Sequence, residues 1–310
     1  MTIATGVAPH VAHRPLLLPD GTVAQLDGPL DAGIPVVILL HGFAGDSISM
    51  TRSTPEQRSL RDVLLRAGFS TLSYRQIAPL GILEPNVAQL LDVAAGPLRG
   101  HRLRRLPLVL LAHSRGGLLA RSFIARAADR PELAGVVDRI EQVITLHSPH
   151  QGSGLAGLTV RMDATARRLQ LLVRALGLRP SALASLCALA ASPAVAELAP
   201  GSPLLRSLDR GSPPAGVAWH TFGGISADLA GIARLRGMGE LLGAVNRLAR
   251  LSPALRDGEG DLVVADACAR LPYASSHTVN RLTHLESLSS AALHDQVVDL
   301  LVGSTALAAA

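Results

Sequence analysis

A chain of 310 residues that is 48% apolar can bury a large core, which excludes a disordered segment and fits one large α/β domain or one such domain with an inserted cap. Its formal charge of +5 comes entirely from arginine, since it contains no lysine, and aromatic residues make up only 2%. With the arginines scattered and the stacking rings missing, a nucleic-acid partner is not expected.

The first twenty residues lack a basic start followed by an apolar stretch, so no secretory signal is read there and a cytoplasmic location is expected. The apolar-rich segments 183–196 and 300–310 are too short or too broken by Ser and Pro to span a bilayer, so no transmembrane segment is expected. Continuous apolar runs predict strands at 34–40, 68–74, 106–113, 141–147 and 217–224, and another near 261–267. Their continuous rather than alternating hydrophobicity suits parallel strands covered on both faces. Between them, helical periodicity predicts helices at 55–67, 84–95, 116–129 and 285–302, the last carrying Asp295.

The alternation breaks from 152 to about 214, a leucine-, arginine- and proline-rich stretch much longer than a crossover connection needs. Together with a Gly-rich helical piece at 229–251 it reads as a helical cap inserted at about 152–250 of a single domain spanning 1–310. Within it, the leucines of RRLQLLVRALGL (167–178) recur at helical spacing and form an apolar face. Cys187 and Cys268 are far apart, have no metal-ligand spacing, and read as buried free thiols.

The pentapeptide AHSRG, Ala112 to Gly116, follows an apolar strand and precedes a helix. A serine hydroxyl is a weak nucleophile unless it is held in the open with a base in reach. A strand that turns sharply into a helix provides that exposure, but the turn is tolerated only if the residues two positions either side are small. Ala112 and Gly116 are small, so AHSRG matches the nucleophile-elbow pattern with alanine in its first small position. Ser114 is therefore the candidate nucleophile. Upstream, VVILLHGFAG ends a strand in His-Gly, where a loop can offer a second backbone N–H. The N–H groups of Phe43 and Arg115 are assigned to an oxyanion hole, with His41 orienting the loop. The Arg115 side chain, next to the nucleophile, could also favour an anionic group near the mouth.

These residues, with TLHSPHQGS, ELAPGSPLLRSL, GDLVVADACARL and LTHLESL in the same order, resemble an α/β-hydrolase, and within that superfamily the bacterial lipase and esterase branch. The resemblance covers about 35–301. It implies a mostly parallel sheet with helices on both faces, carboxylic esters or lipids as substrates, and no cofactor or metal. The implied partners are a small ester or lipid and, transiently, the lipid interface that presents it.

The triad order of this fold, Ser then acid then His, leaves only residues after Ser114. Among Asp257, Glu259, Asp261 and Asp266, the resemblance selects Asp261, because GDLVV is similar to the family's Asp-Gly-x-Val-Pro segment. Here Leu262 and Ala265 replace its glycine and proline, and Asp257 is the runner-up. Of His277, His284 and His294, His284 resembles the loop histidine that precedes the C-terminal helix. His147 and His150 flank Pro149; two such ligands without a third make no metal site, and His150 is assigned to loop structure. The expected reaction is ester hydrolysis through an acyl-enzyme on Ser114. A thioesterase or acyltransferase would use the same triad, and a hydrolase-like protein that binds a ligand without turnover would need none of it. No substrate-binding residues are identified.

Overall fold

The computed structural model describes residues 14–17, 23–31, 33–43, 48–55, 57–100, 103–154, 156–157, 192–211, 216–227 and 252–308. Among them are strands β1 (Arg14–Leu17), β2 (Val23–Asp27), β3 (Val36–Leu40), β4 (Ser70–Tyr74), β5 (Leu108–His113), β6 (Ile140–Leu146), β7 (Ala218–Gly224) and β8 (Ser276–Asn280). The helices are α1 (Ile48–Thr51), α2 (Leu60–Arg66), α3 (Glu84–Ala95), α4 (Gly116–Ala128), α5 (Ala134–Val137), α6 (Pro193–Leu198), α7 (Pro203–Arg210), α8 (Asp266–Ala269) and α9 (Ala291–Ala308).

The strands form one sheet in the order β1-β2-β4-β3-β5-β6-β7-β8. From β4 to β8 every pairing is parallel, while β2 runs antiparallel to both β1 and β4. Alternate residues of each central strand enter different cores. Val36, Ile38 and Leu40 pack with Leu108, Leu110 and residues of α3 and α4, such as Leu90 and Phe123. Val37 and Leu39 pack on the other face with Val109, Leu111, Leu60 and Leu64 of α2, and Leu293, Val297 and Leu301 of α9. Burial on both faces is what makes these strands read as unbroken apolar runs.

The segment 261–267 is not a strand. The Asp261 carboxylate accepts the backbone N–H groups of Val263 and Val264, and Leu262 is left-handed at φ 84°, so the chain curls back with only an isolated bridge between Gly260 and Ala265 before α8 begins. A carboxylate that bonds amides two and three positions ahead competes with a sheet ladder and favours a turn. The strand beside β7 is instead β8, SHTVN, a half-exposed edge strand with no apolar run.

Helix α2 starts at Leu60 rather than near Pro55, because the Ser59 hydroxyl caps it by accepting the N–H of Asp62. The predicted helix at 285–302 divides into a 3₁₀ turn at Glu286–Leu288 and α9, which does carry Asp295. From the expected cap, α6 and α7 are described, and their Val195, Leu198 and Leu205 join the core that contains α4. The rest of that insertion, at 158–191, 212–215 and 228–251, including the leucine-rich stretch 167–178 and Cys187, lies outside the described residues. Cys268 is a free thiol, but only partly buried rather than enclosed in the core.

Candidate active site

Ser114 lies between the last residue of β5 and the first turn of α4, in left-handed backbone at φ 55°. The small neighbours have a visible purpose. A Cβ on Gly116 would run into the carbonyl oxygen of Leu40 and sit 2.9 Å from that of His41, and a Cβ on Gly42 would lie 2.8 Å from the Cβ of Ser114. The elbow therefore presses directly on the end of β3, and the Ser114 N–H is tied to the Leu146 carbonyl at 2.9 Å.

His284 sits in the loop between β8 and α9. Its Nε2 is 2.8 Å from Ser114 Oγ, and its Nδ1 is 2.8 Å from Asp261 Oδ2. The backbone reinforces this, since the His284 N–H donates to the Asp261 carbonyl at 2.9 Å. Asp261 is buried, and its Oδ1 accepts the amides of Val263 and Val264 at 2.9 and 2.7 Å. Burial opposes its ionisation, but the facing charge of His284 and hydrogen bonds from His147 and His284 outweigh that and hold the carboxyl well below the usual range. An ionised Asp261 only accepts, so His284 donates from Nδ1 and turns a bare Nε2 toward the serine hydroxyl.

The structure thus brings Ser114, Asp261 and His284 together. The other candidates lie elsewhere. Asp257 has a side chain 47% exposed, 3.4 Å from Arg281, and Glu259 pairs with Arg256. His277 bridges Thr221 Oγ1 at 2.8 Å and Asp266 Oδ1 at 2.9 Å, joining β7, β8 and α8. His294 is buried on α9. His150 accordingly belongs to loop structure, its Nε2 3.0 Å from Thr145 Oγ1 and its carbonyl accepting from Arg121.

Around this line, two further histidines are fixed by their hydrogen bonds. The Gln76 backbone N–H donates to His41 Nε2 at 3.2 Å, which leaves His41 Nδ1–H to reach the Gly42 carbonyl at 3.1 Å and steady the loop that carries Phe43. His113 donates from Nε2 to the His284 carbonyl at 3.1 Å, and burial together with the neighbouring His284 and His147 pushes its pKa well down.

The Arg115 side chain does not reach out toward an anion. Its guanidinium is buried and donates to the carbonyls of Pro79 and Gly81 and to Glu197 of α6. The unforeseen member of the site is His147, whose Nδ1 is also 2.8 Å from Asp261 Oδ2. Nothing in HSPH marks it, because the contact depends on where β6 ends relative to the Asp261 loop. His147, Asp261 and His284 hold ligand atoms within 4.8 Å of one another, close enough to share a cation, although the hydrogen-bonded arrangement requires none. Among the described residues, no helix is long and apolar enough to cross a membrane.

No protein-family profile matches the chain. A 56-residue stretch is 36% identical to part of the human protein SERAC1, a match covering 18% of this chain and 9% of that protein. Among solved structures, the mature Bacillus licheniformis lipase BlEst2 superposes with a TM-score of 0.60 at 21% identity, over 87% of this chain and 93% of that one. Phospholipase PlaB from Legionella pneumophila gives 0.56 at 15% identity, over 86% of this chain and 59% of that one. The metagenomic carboxyl esterase MGS0156 gives 0.51 at 18% identity, over 83% and 66%. The fold shared with these proteins is the α/β-hydrolase fold, as the arrangement of the sheet and helices also shows.

Proposed function

We propose that this protein is a serine hydrolase that cleaves carboxylic esters through an acyl-enzyme on Ser114. The observation that carries the reading is the continuous hydrogen-bonded line from Ser114 Oγ through the His284 imidazole to Asp261 Oδ2, 2.8 Å at each step. In this reading His284 takes the serine proton as Oγ attacks the ester carbonyl, and Asp261 holds the tautomer and faces the imidazolium that forms. The backbone N–H groups of Phe43 and Arg115 stabilise the oxyanion, helped by the positive end of α4. His284 then protonates the departing alcohol, and water, activated in the same way, releases the acid. The reaction so written needs neither metal nor cofactor.

Similar structures named lipase, phospholipase and carboxyl esterase support esters as the substrate class. A small ester or lipid, met transiently at a lipid interface, also suits the exposed apolar side chains of Ile77, Leu80, Ile82 and Leu285, the last 73% exposed and adjacent to His284 in sequence. Turnover of p-nitrophenyl esters from acetate to palmitate, with and without micelles, tests this reading. Hydrolysis that is lost in Ser114→Ala supports it, and hydrolysis retained by pure Ser114→Ala protein refutes it.

A further inference from the structure

Asp261 is served by four donors. Two backbone amides fill Oδ1, and two imidazoles, His284 and His147, converge on Oδ2. A hydrolytic triad needs only one of those imidazoles. Two backbone features accompany the second. His147 is left-handed at φ 51°, and among the described residues the non-glycine residues with positive φ are Ser114, His147 and Leu262, all three in this cluster. Backbone strain gathered at one place points to a functional constraint there. On the neighbouring strand, a Cβ on Gly224 would collide with the Cε1 of His147 and approach Asp261 Cβ to 2.8 Å, so β7 ends in a residue that leaves room for the ring. The other face of the His147 ring has no partner at Nε2 among the described residues.

We propose that His147 is a positioning residue of this site, donating its Nδ1–H to the Asp261 oxygen that also receives His284 and thereby setting how firmly His284 holds a proton. The inference rests on the hydrolase reading above. A carboxylate with both lone pairs of Oδ2 engaged cannot swing away from His284, and the charge it presents to the imidazolium is shared with a second donor. His147 thus fixes the geometry and shares the carboxylate charge that His284 would otherwise meet alone. Among the described residues, the other titratable group facing this cluster is His113, whose ring centroid is 5.0 Å from that of His284 against 6.1 Å for His147. His150, His277 and Asp266 take other partners.

The test is the pH dependence of kcat/KM on a short-chain p-nitrophenyl ester for the wild type, His147→Phe and His147→Asn, with fluorophosphonate labelling of Ser114 in each. Phenylalanine keeps a ring and removes the donor, whereas asparagine keeps a donor near the Nδ1 position and tolerates left-handed backbone. The acid limb of His147→Phe should move up by about one pH unit, the size expected for losing one hydrogen bond to a charged group, while His147→Asn keeps the wild-type profile. A His147→Phe profile merely scaled by a constant factor, or unchanged, overturns the proposal. In the wild type, ¹⁵N NMR should find the His147 ring protonated at Nδ1, and a neutral ring protonated at Nε2 overturns it even if the phenylalanine variant does not fold. Absence of labelling at Ser114 in the wild type would instead count against the hydrolase reading, leaving the ring tautomer to decide this one.

Discussion

Arg115 and Glu197 are 82 positions apart and meet as a 3.0 Å ion pair that ties the elbow, at the start of α4, to α6. The same Glu197 oxygen accepts the Leu83 N–H at 2.8 Å, so one carboxylate links the loop before α3, α6 and the residue after Ser114. Burial lowers the Arg115 pKa, and its pairing with Glu197 works against that loss. Glu197→Gln would leave a buried guanidinium with carbonyl partners alone, at a cost of about 3 kcal/mol. The urea midpoint should fall with little change in slope. An unchanged midpoint would mean that the pair contributes no net stability.

Gly116→Ala places a methyl group against the backbone oxygens of Leu40 and His41, which cannot move without displacing β3. We expect a loss of at least about 2 kcal/mol in stability and a large fall in fluorophosphonate labelling of Ser114. Gly135→Ala, where nothing lies within 4 Å of the new methyl, is the control and should leave both measurements unchanged.

Asp261→Asn should lower kcat on the order of 10³- to 10⁴-fold, because the amide no longer enforces the Nδ1–H tautomer of His284. Asp257→Asn, at an exposed carboxylate paired with Arg281, should keep wild-type kcat. A reversal of these two results would move the acid of the triad to Asp257.

Stability should decline toward acid in two stages. Burial is the main reason that His113 and His150 have pKa values well below that of a free imidazole. The unfolded chain therefore takes up their protons first, and the stability they provide is present above about pH 6.5 and is lost as the pH falls below that value. Asp261 is depressed as well, so its contribution is present above about pH 4 and drains away below it. Urea midpoints at pH 8, 6, 5 and 4 should fall steadily from pH 6 downward. A constant midpoint from pH 8 to 5 would contradict the first stage.

Much of the sheet was legible because β3 and β5 are buried on both faces and show it as apolar runs, and β4, β6 and β7, although they mix in Ser, Thr, Gln and His, keep enough buried apolar residues to read as strands. The edges were not. β8 is half exposed and carries no apolar signature, while β1 and β2 are short antiparallel additions. The stretch 261–267 has the composition of a strand, but its own carboxylate captures the amides that a ladder would need. Ser114 announced itself through local sterics, and Asp261 and His284 through resemblance in ordered motifs. His147 has no local signal, since its role arises from a left-handed turn on one strand meeting a glycine on the next.

In the proposed hydrolase the hydroxyl of Ser114 is made nucleophilic by His284. Mass spectrometry after incubation with a fluorophosphonate measures this directly, with wild type and His284→Ala side by side. A single covalent adduct is expected on the peptide containing Ser114 in the wild type, and almost none in the variant. No adduct in folded wild-type protein, or equal labelling of the variant, would contradict it.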